Sequence, residues 1–152
     1  MWRKFKGRSS GLEIPFVGLL TGSGFICYAL SFLLTEVVRA LIMFYMIPVW
    51  TTIFEIIFLK KRPGLERVLT LGLALGGLWI VFSKSNIVPL PQNAGDWLAL
   101  VGGVLFGGGL IRLEITKTDG VFPVIFSFFF YGTIFNIFAG YILKDYLGPV
   151  PP

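Results

Sequence analysis

Tyr45, Pro48, Thr52 and Glu55 are the residues whose types and spacing suit chemistry inside an apolar segment. Separations of 3, 4 and 3 residues put them within one arc of a helix with 3.6 residues per turn, as a polar stripe. Pro48 has no N–H, so the carbonyl of Phe44 loses its helical donor. A group freed in this way can line a water-filled cavity, or can be satisfied again by neighbouring helices at a kink. Glu55 is the ionisable residue set well inside hydrophobic sequence, five residues and about 7 Å of helical rise before Lys60. An intramembrane carboxylate is a candidate for taking up and releasing a proton. It is also a candidate for a structural ion pair with a cation such as Arg67 or Arg112.

Other chemistry lacks its parts. The 152 residues contain no histidine and one cysteine, Cys27, within an apolar run. No two carboxylates fall at i,i+3 or i,i+4 on one helix. Metal sites, acid–base pairs and nucleophilic triads are therefore not expected, and neither is a cofactor. Of the remaining charged residues, Glu36 and Arg39 flank a turn where each could cap a helix or gate access. Asp96 precedes Trp97 as an N-cap, and Asp119 with Gly120 forms a tight turn.

The elements that must position these residues are long and apolar. Apolar residues make up 55% of the chain and charged residues 14%, with 16 phenylalanines. A mean hydropathy of +0.83 makes the lipid bilayer the solvent. The net charge of +5 lies in short clusters between apolar runs, which fits membrane topology and argues against nucleic-acid binding. Five stretches read as transmembrane helices, Ile14 to Thr35, Ala40 to Leu59, Val68 to Phe82, Trp97 to Ile111 and Val121 to Leu143, so the fold class is an all-α polytopic bundle. The third and fourth are short and should extend into Leu65 to Arg67 and Leu113 to Ile115.

The first stretch has a basic start but is longer than a signal-peptide core and reads as a retained helix. Ten of the thirteen Lys and Arg residues fall on one side of the alternating topology. That bias puts the N-terminus in the cytoplasm and, with five spans, the C-terminus outside. Trp79 and Trp97 flank the outer loop at the level of an aromatic belt. The organisation is then a basic cytoplasmic segment over 1–13, three helices over 14–83, an outer loop over 84–96, two helices over 97–144 and an outer tail over 145–152. Small residues recur every four positions at Gly18 and Gly22, Gly72 and Gly76, Gly103 and Gly107, and Gly132, Asn136 and Gly140. Without a hydrophobic drive between helices in lipid, such faces mark close helix–helix contacts, or alternatively a solute path.

The run from Thr35 to Phe82, TEVVRALIMFYMIPVWTTIFEIIFLKKRPGLERVLTLGLALGGLWIVF, resembles the fourth and fifth helices of EamA-type transporters of the drug/metabolite transporter superfamily. The resemblance lies in a small or charged turn, an aromatic-rich helix with a central proline in a PVWT setting, a basic loop and a glycine-rich helix. Gly11 to Leu34 resembles the third helix, Gly95 to Lys117 the sixth and Val121 to Leu143 the seventh.

The resemblance implies ten helices in two inverted repeats and alternating access, moving a small metabolite or drug across a bacterial cytoplasmic membrane. It also implies that Tyr45, Pro48, Trp50 and Thr52 line the substrate path, although Trp50 lies off the polar stripe. Helices one, two, eight, nine and ten have no counterpart here, so the chain is expected to be part of a longer transporter or a truncated reading frame. The alternatives are a short membrane protein that completes itself as a homo-oligomer, and a non-transporting structural subunit.

Overall fold

The computed structural model describes residues 12–60, 62–85, 90–116 and 120–147, all of them helix or connecting turn. The expected basic segment therefore lies almost wholly outside the described residues, as do Asp119 and residues 148–152 of the expected tail. The helices are α1 (Glu13–Ser31), α2 (Val37–Phe44), α3 (Ile47–Phe54), α4 (Leu65–Ser85), α5 (Ala94–Thr116) and α6 (Val121–Leu147), with a π-helical turn at Glu55–Leu59 continuing α3. Among the described residues, four segments are long and apolar enough to cross a membrane: Glu13–Ser31, Val37–Leu59, Ala94–Thr116 and Val121–Ile142. The chain is a multi-pass membrane protein.

Several element boundaries depart from the sequence reading. The first helix ends at Ser31, and Phe32 to Thr35 form turns in which backbone N–H groups reach back three or four residues. The third and fourth helices do gain Leu65 to Arg67 and Leu113 to Ile115, reaching 21 and 23 residues. At 1.5 Å per residue each is then about 30 Å or longer, the thickness of a hydrocarbon core, but α4 is not among the four segments that are both long and apolar enough to cross, where the sequence reading expected five. Helix α4 runs to Ser85 and α5 begins at Ala94, both inside the bounds expected for the outer loop, and α6 continues three residues into the expected tail.

The second stretch is not one helix. It breaks at Tyr45 and Met46, just before Pro48, which takes up the first turn of α3. A proline there costs no hydrogen bond, because the first N–H groups of a helix have no intrahelical acceptor. At the other end the ladder slips into the π turn, and Lys60 closes it with a left-handed φ of 51°.

Packing is organised around α1 and α5, which cross at glycines. A Cβ on Gly24 would lie 2.7 Å from the Gly102 carbonyl oxygen, and one on Gly102 would lie 2.7 Å from the Gly24 carbonyl oxygen. A Cβ on Gly18 would collide with Ser127 of α6, whose Oγ donates to the Ile14 carbonyl at 3.0 Å. Gly22 is likewise tight against α6, and Gly103 and Gly107 face the broken helix, as the four-residue spacing suggested. The backbone closeness that lets helices associate in lipid is thus concentrated on α1 and α5. Aromatic rings fill the space between them: Tyr28 stacks on Phe44 at 4.0 Å between centroids, and Phe44, Phe106 and Phe128 continue the contact edge to face.

Helix α4 stands away from this bundle. Cβ atoms on Gly72, Gly76 or Gly77 would meet nothing within 4 Å, and the same holds for Gly132 and Gly140 on α6. At these positions the space a side chain would enter is open among the described residues, although the Gly132 backbone nitrogen is what a Cβ on Gly22 would meet at 3.0 Å.

Candidate functional site

The break in the second stretch sets what the polar residues can reach. Because the helix is interrupted at Tyr45 and again at Glu55, positions 45, 48, 52 and 55 do not share one continuous 3.6-residue repeat. Tyr45 is 63% exposed at the break and joins no polar contact of the others. Pro48 and Thr52 do come together: the Thr52 hydroxyl donates to the Pro48 carbonyl at 2.7 Å, and the Thr51 hydroxyl donates to the same oxygen at 3.1 Å. The carbonyl of Phe44, deprived of a proline donor, faces α5, where a Cβ on Gly103 would sit 3.1 Å from it. Glycine at 103 therefore leaves room for the freed group.

Glu55 is 8% exposed and pairs with Arg67 on the first turn of α4. Arg67 also donates from Nε to the Thr52 hydroxyl oxygen at 3.2 Å. The result is a connected line from the Pro48 carbonyl through Thr52 and Arg67 to the Glu55 carboxylate. Arg67, rather than Arg112, is the partner of the buried carboxylate. Arg112 lies near Glu13, its Nη2 3.9 Å from a carboxylate oxygen.

Trp50 faces α5 rather than this line. Its Cβ lies 3.4 Å from where a Cβ on Gly107 would be, and its indole N–H is buried without a hydrogen-bond acceptor. A donor left unmet in apolar surroundings carries a free-energy cost. None of Tyr45, Pro48, Trp50, Thr52 or Glu55 lines the cavities of about 380, 330 and 460 Å³ among the described residues.

A second polar cluster lies at the opposite end of the helices. Asp96 has no exposed surface and accepts from Arg39 Nε at 3.1 Å, from the Thr35 hydroxyl at 2.6 Å and from the Gln92 N–H at 2.9 Å. Arg39, 9% exposed, also donates to the Leu90 carbonyl at 3.2 Å. The expected capping roles are corrected here. Asn93 is the cap of α5, its side-chain oxygen accepting the Asp96 N–H at 2.8 Å, while Asp96 reaches back from the third helical position. Arg39 caps nothing and is held by Asp96. Glu36 does sit at the start of α2, but only its backbone carbonyl bonds there, accepting from Ala40 at 3.0 Å.

The available signal for this cluster was topological: in a chain whose helices alternate direction, residues 35–39 and 90–96 must emerge at the same end.

A family model described as the EamA-like transporter family matches residues 1–83. The chain belongs to that family. The match spans α1, the broken helix with Pro48 and Glu55, and nearly all of α4. Searches among curated proteins and among solved structures gave no match. Membership in the EamA-like family points to a non-enzymatic membrane transporter, and the line through Pro48, Thr52, Arg67 and Glu55 lies in the part that carries the family match.

Proposed function

We propose that this EamA-like chain contributes helices to a secondary transporter of a small metabolite or drug, working by alternating access in a bacterial cytoplasmic membrane with its N-terminus inside. What supports this reading most is the interrupted second stretch. Transporters commonly build their paths from broken helices, whose unsatisfied backbone and polar side chains would be too costly against lipid. Here Pro48, Trp50 and Thr52 follow the break on α3, and the stretch leads to the buried Glu55 paired with Arg67. We assign Tyr45, Pro48, Trp50 and Thr52 to the path and Glu55 to proton coupling, with Arg67 releasing the carboxylate as the path opens.

The open faces of α4 and α6 favour a further reading of the assembly. Additional helices, from the rest of a longer protein or from a second copy, would cover Gly72, Gly76, Gly132 and Gly140 and complete the path.

The test is proteoliposome transport with a trapped pH-sensitive dye, challenged with a panel of amino acids and cationic drugs. A substrate-dependent proton flux that disappears in Glu55→Gln while substrate binding persists is the expected result. Undiminished proton flux in Glu55→Gln removes the coupling role. Absence of flux for the assembled protein across the panel, with intact insertion, favours a structural subunit.

A further inference from the structure

A cavity of about 330 Å³ opens between α1, the end of α3 with its π turn, and α5. Phe16, Leu20, Phe54, Phe58 and Ile111 form much of its apolar wall, and Arg112 is the charged residue among its lining. No residue assigned to the transport path lines it. The guanidinium is incompletely used. Its Nη2 lies 3.9 Å from Glu13, beyond charge-assisted hydrogen-bond length, and its Cζ lies 5.9 Å from the centre of the Phe16 ring. Its Nε is buried with no acceptor. The side chain is 43% exposed, so a permanent cation held by one loose carboxylate contact borders an apolar cavity, an arrangement that suits an anion carrying an apolar body.

Depth and surroundings say which anion. Arg112 lies four residues before the end of α5, about 6 Å by helical rise, level with Glu13 at the start of α1. In a membrane-spanning chain this is the level where headgroups meet acyl chains. Lys60 and Arg62 at the end of the broken helix add positive charge outside the same end. Basic pockets between transmembrane helices are suited to anionic headgroups.

We propose that this cavity binds one anionic phospholipid, its phosphate on Arg112 and part of an acyl chain against Phe54, Phe58 and Ile111. Glu13 competes with the phosphate for the guanidinium and limits the affinity.

Native mass spectrometry of the purified full chain, offered equal phosphatidylglycerol and phosphatidylcholine, tests this. Phosphatidylglycerol should be retained at least tenfold over phosphatidylcholine. Arg112→Gln should abolish the preference, and Glu13→Gln should increase it.

Gly108→Leu is the variant that separates this site from general attraction to surface cations. A Cβ there lies 3.7 Å from Phe54 Cε2 in ordinary contact, so the leucine grows into the cavity while every cation stays. Loss of the preference in Gly108→Leu supports the proposal, and its retention overturns it. Equal retention of the two lipids by the unaltered chain also overturns it, as does displacement of phosphatidylglycerol by inorganic phosphate alone, which would mark a free-anion site. Should Arg112→Gln not fold, Gly108→Leu and Glu13→Gln carry the decision.

Discussion

Asp96 and Glu55 are both buried carboxylates, yet they depend on their partners to different degrees. Asp96 is wholly enclosed and its arginine is nearly so, whereas the Arg67 side chain is 40% exposed. Removing one member of an enclosed pair leaves a charge in low dielectric, which costs about 3–5 kcal/mol. Asp96→Asn should therefore lower the thermal stability of the purified protein by about that amount. The double variant Arg39→Gln, Asp96→Asn should recover most of the loss, and a strictly additive cycle would refute the coupling. Arg67→Gln should cost less, about 1–2 kcal/mol, because water reaches the arginine and tempers what Glu55 loses. The same melting measurement checks it. Glu55 could be singled out in the sequence, since a charge inside twenty apolar residues is conspicuous by itself. The Arg39–Asp96 pair could not, because each residue had a local explanation as a cap, and their 57-residue separation hides a contact that only the folded topology creates.

At the scale of elements, each of the five apolar stretches is helical, and four of them are long and apolar enough to cross a bilayer, because length and composition decide what can cross. Hydropathy could not locate interruptions inside a stretch. Pro48 announced a disturbance, but its form depends on neighbours: Gly103 leaves space for the freed Phe44 carbonyl, and the regular α-helix is interrupted at Tyr45 and Met46, ahead of the proline itself. The π turn at Glu55 had no signal in residue spacing at all, and it is one reason that the polar stripe of Tyr45, Pro48, Thr52 and Glu55 does not survive as a stripe. Pro48→Ala should restore helical continuity from α2 into α3. Spin labels at the exposed positions Val38 and Ile57 would then move towards the roughly 28 Å of an unbroken helix over that span, as read by pulsed electron resonance. An unchanged distance distribution would mean that Gly103 and the π turn hold the break without the proline.

For the whole molecule, the question is which glycine faces are filled. Four-residue spacing marked Gly18, Gly22, Gly103, Gly107, Gly72, Gly76, Gly132 and Gly140 alike, but missed Gly24, Gly95, Gly102 and Gly109, which make close contacts within the chain. Spacing identifies a face that a helix can use, not the helix that will use it. The two classes of glycine should separate in one experiment. Gly24→Leu forces a side chain into the α5 backbone and should lower the melting stability of the chain by about 1–3 kcal/mol or more. Gly72→Leu meets nothing within the chain and should leave that stability within about 0.5 kcal/mol. If further helices pack on α4 in the working transporter, Gly72→Leu should nevertheless reduce transport by the assembled protein and weaken cysteine crosslinks from α4 to those helices. A destabilisation by Gly72→Leu as large as that of Gly24→Leu would instead mean that α4 folds back on its own bundle. Normal transport and crosslinking in Gly72→Leu would mean that the open face meets lipid, and that the path is completed elsewhere.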